Sequence, residues 1–262
     1  MSKNRETICV ESHGNKHGVI TPIDPSTSYR YIDQPDKLYP RYFNTDNQKV
    51  IVDKLCKLEG GEAGMLFSTG MAAISTTLMA LLAPGDHVLL AGEIYGGTQN
   101  LANREFAKLG IEFDNVPSVE PSDFEAMIKP NTRLIYVESP SNPLMTIVDL
   151  SAIGKLAKKH GLTSLVDNTF ATPINQRPIE LGFDVVLHSG TKYLGGHSDL
   201  CFGAMIGPKE IQEKVYQTAL SYGGSLNALD CYLIERRLKT LAVRVERHNQ
   251  NAIKIAPFLQ KH

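Results

Sequence analysis

From residue 50 onward, short apolar runs alternate with segments whose apolar residues recur at helical spacing. The apolar runs predict strands at 87–91, 111–116, 134–137, 162–166, 184–187 and 202–206. Helices are predicted at 50–58, 100–109, 121–128, 150–160, 208–220 and 226–262, and another begins near Gly70 and ends at Pro84-Gly85. Glycines close several of these helices, because glycine readily adopts the left-handed conformation found at helix ends.

This alternation predicts an α/β fold with a mostly parallel central sheet flanked by helices. Strands joined through helices form right-handed crossovers in a parallel sheet, and continuous apolar strands are typical of sheets buried on both faces. Residues 1–47 are rich in Pro, Tyr, Asp and Asn and lack periodicity, so we expect an extended N-terminal arm. The α/β domain is expected over residues 48–225, followed by the helical segment 226–262.

Composition and charge narrow the class of protein. Of the 262 residues, 42% are hydrophobic and 21% charged, which is typical of a globular protein rather than a disordered or fibrous one. The 27 Lys and Arg against 28 Asp and Glu give no support for binding to nucleic acid or to an anionic membrane. No signal peptide is apparent, and four widely spaced cysteines predict free thiols in a reducing compartment. We therefore expect a cytoplasmic protein.

Polar clusters follow several of the predicted strands. They are residues 138–143 (Glu-Ser-Pro-Ser-Asn-Pro), 167–169 (Asp-Asn-Thr) and 188–192 (His-Ser-Gly-Thr-Lys). A further turn at 68–71 opens a helix, whose free N–H groups favour an anion such as phosphate. Because ligands of open α/β sheets bind beyond the carboxyl ends of the strands, we expect these clusters to meet at one edge.

Lys192 and Asp167 indicate the chemistry of this edge. Lys192 follows an apolar strand, and a lysine buried there would have to be paired, neutralised or covalently bonded. Asp167 ends another apolar strand and needs a cation or several hydrogen bonds. A lysine for a Schiff base, a carboxylate for a pyridinium nitrogen and a phosphate cradle are together the requirements of pyridoxal 5'-phosphate (PLP). Tyr95, in a turn after the strand at 87–91, could stack on the ring.

Residues 189–199, with the sequence SGTKYLGGHSD, resemble the lysine signature of the PLP-dependent trans-sulfuration enzymes of Cys/Met metabolism. This family includes cystathionine γ-lyases and γ-synthases. Further segments match in the same order: 39–41, 67–73, 95–98, 138–143 and 166–173. The resemblance runs from about residue 20 to the end of the chain. It implies the type I, aspartate aminotransferase-like PLP fold, with an apparently truncated C-terminal domain beginning at residue 226.

The resemblance also implies a role for each matching residue. Lys192 would bind PLP as a Schiff base and move substrate protons, Asp167 would pair with the pyridine nitrogen, and Tyr95 would stack on the ring and protonate the leaving group. The other implied cofactor-binding residues are Gly70, Met71, Ser189 and Thr191 at the phosphate, Asn142 at the cofactor or the substrate carboxylate, Thr169 beside the ring, and Tyr39 and Arg41 on the arm.

Tyr39 and Arg41 would reach the phosphate in a neighbouring subunit, because the family normally forms homotetramers built from two active dimers. The family's Asn-Pro-Thr after this motif is replaced here by Asn44-Thr45-Asp46. The arginine that binds the substrate α-carboxylate would lie beyond His262, since the family continues past this point.

Gly97 bears on the reaction, because methionine γ-lyases carry a cysteine at this position. The sequence therefore favours a PLP-dependent C–S lyase that acts on cystathionine by β- or γ-elimination. Three alternatives remain open: a γ-replacement enzyme of the cystathionine γ-synthase or O-acylhomoserine type, a truncated non-catalytic PLP-binding remnant, and an α/β binding module with an unmodified Lys192. No metal site is expected, because the glycines beside His13 and His17 indicate a loop, and His197 lacks ligand partners at suitable spacing.

Overall fold

The computed structural model describes residues 4–11, 18–35 and 37–262. Its strands are β1 (Ala63–Phe67), β2 (His87–Ala91), β3 (Glu112–Val116), β4 (Thr132–Glu138), β5 (Thr163–Asp167), β6 (Val185–Ser189) and β7 (Gly203–Gly207). Its helices are α1 (Arg5–Val10), α2 (Asp46–Glu59), α3 (Gly70–Leu81), α4 (Gly96–Leu101), α5 (Pro121–Ala126), α6 (Leu150–His160), α7 (Thr172–Asn175), α8 (Lys209–Tyr222), α9 (Ala228–Leu238) and α10 (Leu241–Leu259).

The strands form one sheet in the order β1-β7-β6-β5-β4-β2-β3. Strands β3, β2, β4, β5 and β6 pair in parallel, whereas β7 pairs antiparallel with both β6 and β1. The predicted α/β fold with a mostly parallel sheet is therefore confirmed. Because the carboxyl ends of β4, β5 and β6 lie at the same edge, the residues that follow these strands are brought together.

Two apolar clusters hold the sheet and its helices in place. The first covers β2, β4, β5 and β6 and packs them against helices that include α3, α6 and α8. The second joins α2, α9 and α10 to β7. On α2, Ile51, Leu55 and Leu58 share one face because of their helical spacing, and all three are buried. The sheet edge that carries the polar clusters is therefore supported by a core of buried apolar side chains.

The structure corrects two predicted elements. The segment 226–262 is not one helix: α9 and α10 are separated at Lys239-Thr240, and the Asn227 side chain caps α9 by accepting a hydrogen bond from the Asp230 amide (2.9 Å). The arm is not extended throughout either, because its first described residues form α1. Lys54 on α2 donates hydrogen bonds to the carbonyl groups of Cys9 (3.1 Å) and Glu11 (2.6 Å), which fixes α1 against the domain.

No helix among the described residues combines the length and apolarity needed to cross a membrane. Strand β1 is absent from the sequence-based prediction, because Ala63 and Gly64 weaken its apolar pattern. It lies at one end of the sheet, where pairing with β7 supplies its hydrogen bonds. The helix predicted at 100–109 begins earlier, at Gly96, and continues through a π-helical turn at Ala102–Phe106 to Leu109.

Candidate functional site

A cleft of about 810 Å³ opens at the carboxyl ends of β4, β5 and β6 and the start of α3. Nine residues predicted for the site line this one cleft: Gly70, Met71, Tyr95, Asn142, Asp167, Thr169, Ser189, Thr191 and Lys192. The predicted convergence of the polar clusters is therefore observed.

Asp167 is the most deeply placed charged group of the cleft. It ends β5 with only 4% of its surface exposed, and its Oδ1 accepts a hydrogen bond from the Thr169 amide (3.0 Å). Burial raises the pKa of Asp167, although the hydrogen bonds from Thr169 and the charge on His188 act against this. The buried carboxylate thus loses more from desolvation than it gains from its present neighbours. It would therefore gain from a cationic ligand atom such as a protonated ring nitrogen.

Glu138 lies directly beside Asp167 and was missed as a site residue. The two are paired in register at the ends of β4 and β5. Burial, and then the nearby Asp167 charge, raise the pKa of Glu138 to about 7. Its Oε2 accepts a hydrogen bond from the Tyr95 amide (2.6 Å), so it fixes the turn that carries Tyr95. Glu138 could have been predicted from the sequence, because the last residues of neighbouring parallel strands lie side by side.

The start of α3 contributes Thr69, Gly70 and Met71 to the lining of the cleft. Thr69 caps the helix by accepting a hydrogen bond from the Ala72 amide (3.0 Å). The amides of Gly70 and Met71 belong to the first turn, where helical N–H groups have no partner within the helix. A Cβ at Gly70 would lie 2.6 Å from Cβ of Ser189, so glycine is needed for this close approach. Ser189 is held in turn by its amide, which donates to Thr169 Oγ1 (2.7 Å).

Lys192 lies in a tight turn three residues beyond β6. The Gly195 amide donates to the Gly190 carbonyl (2.8 Å), and the Gly196 amide donates to the Lys192 carbonyl (2.7 Å). Lys192 itself is exposed, so the expectation of a buried lysine is wrong. The turn lifts the residue out of the sheet core and into the open cleft. An exposed amine there is accessible to an aldehyde.

Tyr95 and Asn142 stand on two turns at the mouth of the cleft. Tyr95 is 46% exposed and immediately precedes α4. Asn142 is exposed, and its loop is tied down because Ser141 Oγ (2.7 Å) and Thr146 Oγ1 (2.5 Å) both donate to Glu93 Oε2. Both side chains can therefore reach a ligand in the cleft.

Tyr39 and Arg41 do not line this cleft. Arg41 donates from Nη1 to the Leu220 carbonyl (2.7 Å), and its guanidinium lies 5.1 Å from the ring centroid of Tyr42. The role of both residues in a neighbouring subunit's site stays a prediction.

One wall of the cleft comes from residues that the sequence did not reveal. Tyr193 packs edge-on against His248 of α10, with ring centroids 5.4 Å apart, and Phe170 lies 6.0 Å from Tyr193. Arg244 of α10 donates to the Tyr193 carbonyl (2.7 Å) and so supports the turn that carries Lys192. Because α10 is about fifty residues further along the chain, no local pattern could have linked it to the site.

Comparison with known proteins identifies the family. Residues 6–262 match the family described as Cys/Met metabolism PLP-dependent enzyme. The chain belongs to this family. The predicted resemblance is thereby confirmed.

Two relatives in this family have related activities in their names. The chain is 42% identical over 247 residues to a probable cystathionine γ-synthase of Herpetosiphon aurantiacus, a match that covers 93% of this chain and 77% of that protein. It is 44% identical over 219 residues to the cystathionine β-lyase MetC of Bacillus subtilis, covering 83% of this chain and 56% of that protein. The second match thus spans little more than half of that relative's length.

A solved structure shows the same fold. The crystal structure of cystathionine γ-lyase from Lactobacillus plantarum, complexed with L-serine, superposes with a TM-score of 0.94 at 36% identity. The superposition covers 99% of this chain and 70% of that chain.

The family is PLP-dependent, and the residues of this cleft fit the cofactor. The raised pKa of Asp167 marks a carboxylate that would be stabilised by a pyridinium nitrogen. The first turn of α3 offers backbone N–H groups that could bind a phosphate, and Ser189 lies close against this turn. Lys192 lines the same cleft and is exposed, so its amine is accessible. No cluster of three metal-ligating side chains occurs in the described part of the chain, and His13 and His17 lie outside it.

The close approach at Gly70 leads to a first prediction. In Gly70→Ala, the new Cβ would collide with the backbone and side chain of Ser189 and displace the first turn of α3, where we expect the phosphate to bind. We expect PLP affinity, measured by equilibrium dialysis, to fall roughly tenfold or more, because overpacking typically costs about 1–3 kcal/mol. Gly96→Ala is the matched control, because a Cβ there meets nothing within 4 Å. Equal affinities of the two variants would contradict this assignment of the phosphate end.

The raised pKa of Glu138 leads to a second prediction. Folding raises this pKa from 4.5 to about 7, so the folded state holds a proton that the unfolded state releases. The raised pKa contributes to the free energy of unfolding, and this contribution is fully present below pH 4.5. It is lost as the pH rises through 7, which lowers the free energy of unfolding by up to ~3 kcal/mol. Glu138→Gln should therefore stabilise the cofactor-free protein relative to wild type above pH 7 but not below pH 4.5. Urea unfolding at both pH values measures the difference in free energy of unfolding between the variant and wild type. The same difference at both pH values would show that folding does not change the pKa of Glu138.

Proposed function

We propose that this protein is a PLP-dependent C–S lyase that breaks cystathionine by β- or γ-elimination. The observation that carries the proposal is the convergence of Lys192, Asp167 and the Gly70 turn on one cleft, in a family whose relatives are named cystathionine lyases and synthases. The reaction consumes water and releases ammonia. It yields cysteine with 2-oxobutyrate, or homocysteine with pyruvate.

Bound PLP supplies an electron-accepting ring and an aldehyde for the substrate amine. Lys192 is the group of this cleft that can hold the cofactor through its amine and, once displaced by substrate, take the Cα proton. Asp167 would hold the proton on the ring nitrogen. Tyr95, fixed through Glu138, would donate its phenol proton to the departing sulfur.

Gly97 supports cystathionine rather than methionine as the substrate. A Cβ at this position would lie 2.4 Å from Cε1 of Tyr95 and 2.9 Å from Sδ of Met71. A cysteine there, as in methionine γ-lyases, would push the Tyr95 ring from its present position. The cleft is therefore suited to a glycine at this position.

We further propose that the protein acts as a homo-oligomer, built as a dimer of dimers. In this assembly Tyr39 and Arg41, on the arm 1–47, would serve the cleft of a neighbouring subunit. Their position outside their own cleft supports this, as do the exposed apolar side chains of the arm: Val19, Ile20, Ile23, Tyr31 and Ile32. The PLP-binding domain would be 48–225, and 226–262 would begin the C-terminal domain.

A cytoplasmic location is also proposed, together with amino-acid substrates and no nucleic-acid or membrane partner. The cysteines support the location, because Cys9, Cys56, Cys201 and Cys231 are all free thiols in the fold.

Product analysis tests the proposed activity. The purified, PLP-loaded protein is incubated with L-cystathionine, and the amino acids and 2-oxo acids are quantified. Cysteine with 2-oxobutyrate would establish γ-elimination, and homocysteine with pyruvate β-elimination. A second incubation with O-acetyl- or O-succinylhomoserine plus cysteine measures γ-replacement, for which the match to a probable cystathionine γ-synthase is the reason. Cystathionine formed faster than it is broken would overturn the lyase in favour of a synthase.

A further inference from the structure

A buried pair of ionisable groups, Glu59 and His188, lies directly beneath the cofactor cleft. Glu59 ends α2 and His188 lies on β6, and both side chains are 0% exposed. Glu59 Oε1 is 2.6 Å from His188 Nε2, a distance typical of a strong charge-assisted hydrogen bond. Glu59 Oε2 and His188 Nδ1 have no hydrogen-bond partner among the described residues. Such a pair is costly to bury, so its place in the fold needs a reason.

The pair is coupled to the segment that carries Asp167. Glu59 Oε1 also accepts a hydrogen bond from Nδ2 of Asn168 (2.9 Å), the residue that follows Asp167. On the neighbouring strand, Asp167 is in register with Leu187, so His188 directly follows the partner of Asp167. Because successive side chains of a strand alternate, His188 points to the face of the sheet opposite to that of Leu187 and Asp167. Glu59 thus binds, from the opposite face of the sheet, the side chains of Asn168 after β5 and of His188 on β6, next to Asp167.

The same network reaches a third segment of the cleft. Asn168 Oδ1 accepts a hydrogen bond from Nε2 of Gln176 (2.9 Å). Gln176 Nε2 also donates to the Ser139 carbonyl (2.9 Å), at the start of the loop that carries Asn142. One carboxylate on α2 is therefore tied to the ends of β4, β5 and β6, where the site residues stand.

Charge adds to this geometric link. The charge on His188 favours the ionised form of Asp167 and so lowers its pKa, against the effect of burial. From β4, the Tyr136 hydroxyl and the Glu138 carboxyl also face Asp167, and burial, followed by the Asp167 charge, raises the pKa of both groups. Among these neighbours, His188 is the one whose side chain can carry a positive charge, and the Glu59 carboxylate lies 2.6 Å from its Nε2.

We propose that Glu59 and His188 form a positioning pair that holds Asp167 in its orientation toward the ring nitrogen of PLP. The inference rests on the proposed cofactor role of Asp167, and it adds two residues that do not line the cleft. Neither residue touches the cofactor or the substrate. Their effect passes through Asn168 and through the charge on His188.

The test follows the proton on the cofactor ring nitrogen. Wild type, Glu59→Gln and the double variant Glu59→Gln/His188→Gln are loaded with PLP labelled isotopically at the pyridine nitrogen, and the nitrogen resonance is recorded by NMR against pH. Glutamine at 59 keeps the shape of the side chain and an acceptor for Asn168, and the double variant leaves no buried charge unpaired. We expect the pH midpoint of ring-nitrogen deprotonation to fall by about one unit in both variants, and PLP affinity to fall roughly tenfold.

Asp114→Asn is the matched control. It removes a carboxylate that pairs with another fully buried histidine, His87 (3.2 Å), and with Lys129 (2.6 Å), and neither His87 nor Asp114 lines the cleft. This variant should lose stability but keep the wild-type midpoint. The same midpoint in wild type, Glu59→Gln and the double variant would overturn the proposal and leave the pair a purely structural one. A wild-type ring nitrogen with no proton would refute the role of Asp167 instead, and neither result depends on which substrate is cleaved.

Discussion

Replacing Lys192 with alanine is expected to lower cystathionine turnover by about 10,000-fold, the upper range for loss of a general acid–base group. Lys192 is the lysine that lines the cleft shared by Asp167 and the Gly70 turn, so no other lysine of the lining can bind the cofactor or accept the Cα proton. The variant should still bind PLP, but without a covalent bond. Turnover is measured by the release of 2-oxo acid under saturating cystathionine and PLP.

Lys214→Ala provides the control for this experiment. Lys214 is exposed on α8, where it pairs with Glu210 (3.3 Å) and does not line the cleft. Its replacement should leave turnover unchanged. If Lys192→Ala retained the turnover of Lys214→Ala, Lys192 would have no catalytic role and the proposed mechanism would be wrong.

Replacing Asp167 with asparagine should have the second largest effect on function. It should lower PLP affinity and turnover without lowering the stability of the cofactor-free protein. The amide cannot balance the charge on a pyridinium nitrogen, so we expect PLP affinity and turnover to fall roughly 100- to 1,000-fold, as for a broken buried ion pair. The cofactor-free variant should be at least as stable as wild type at neutral pH. The reason is that burial raises the pKa of Asp167, so the wild-type protein loses stability as the pH rises through that pKa.

Two measurements on the Asp167 variant distinguish loss of function from loss of folding. Thermal unfolding of the cofactor-free proteins gives the stability difference, and equilibrium dialysis gives the PLP affinity. Asparagine can still accept the hydrogen bond from the Thr169 amide, so the local turn should persist. A variant that unfolded more easily than wild type, or that bound PLP equally well, would contradict this description of Asp167.

Much of the sheet could be predicted from the sequence because its strands are continuously apolar. Strand β2 (His87–Ala91) and helix α6 (Leu150–His160) were predicted with the bounds that the structure shows. Strand β1 was not predicted, since a short strand that contains glycine has no distinctive pattern and depends on pairing with β7. The separation of α9 from α10 was also missed, because apolar positions continue through Lys239-Thr240 without a proline or glycine.

Site residues could be predicted from the sequence where they lie next to the end of a strand. Asp167, Ser189 and Lys192 follow apolar strands, and strand-end geometry brings them to one edge. Arg244 and Glu59 could not be found in this way. They reach the site only through packing between distant helices and the sheet, which no local pattern encodes.

The proposed role of Lys192 can be tested by locating the covalent bond between the protein and its cofactor. The PLP-loaded protein is reduced with borohydride, digested and analysed by peptide mass spectrometry. We predict one pyridoxyl group per chain, attached to Nζ of Lys192, with loss of the yellow colour and of activity. A pyridoxyl group on another lysine, or none in a protein that still cleaves cystathionine, would contradict the account.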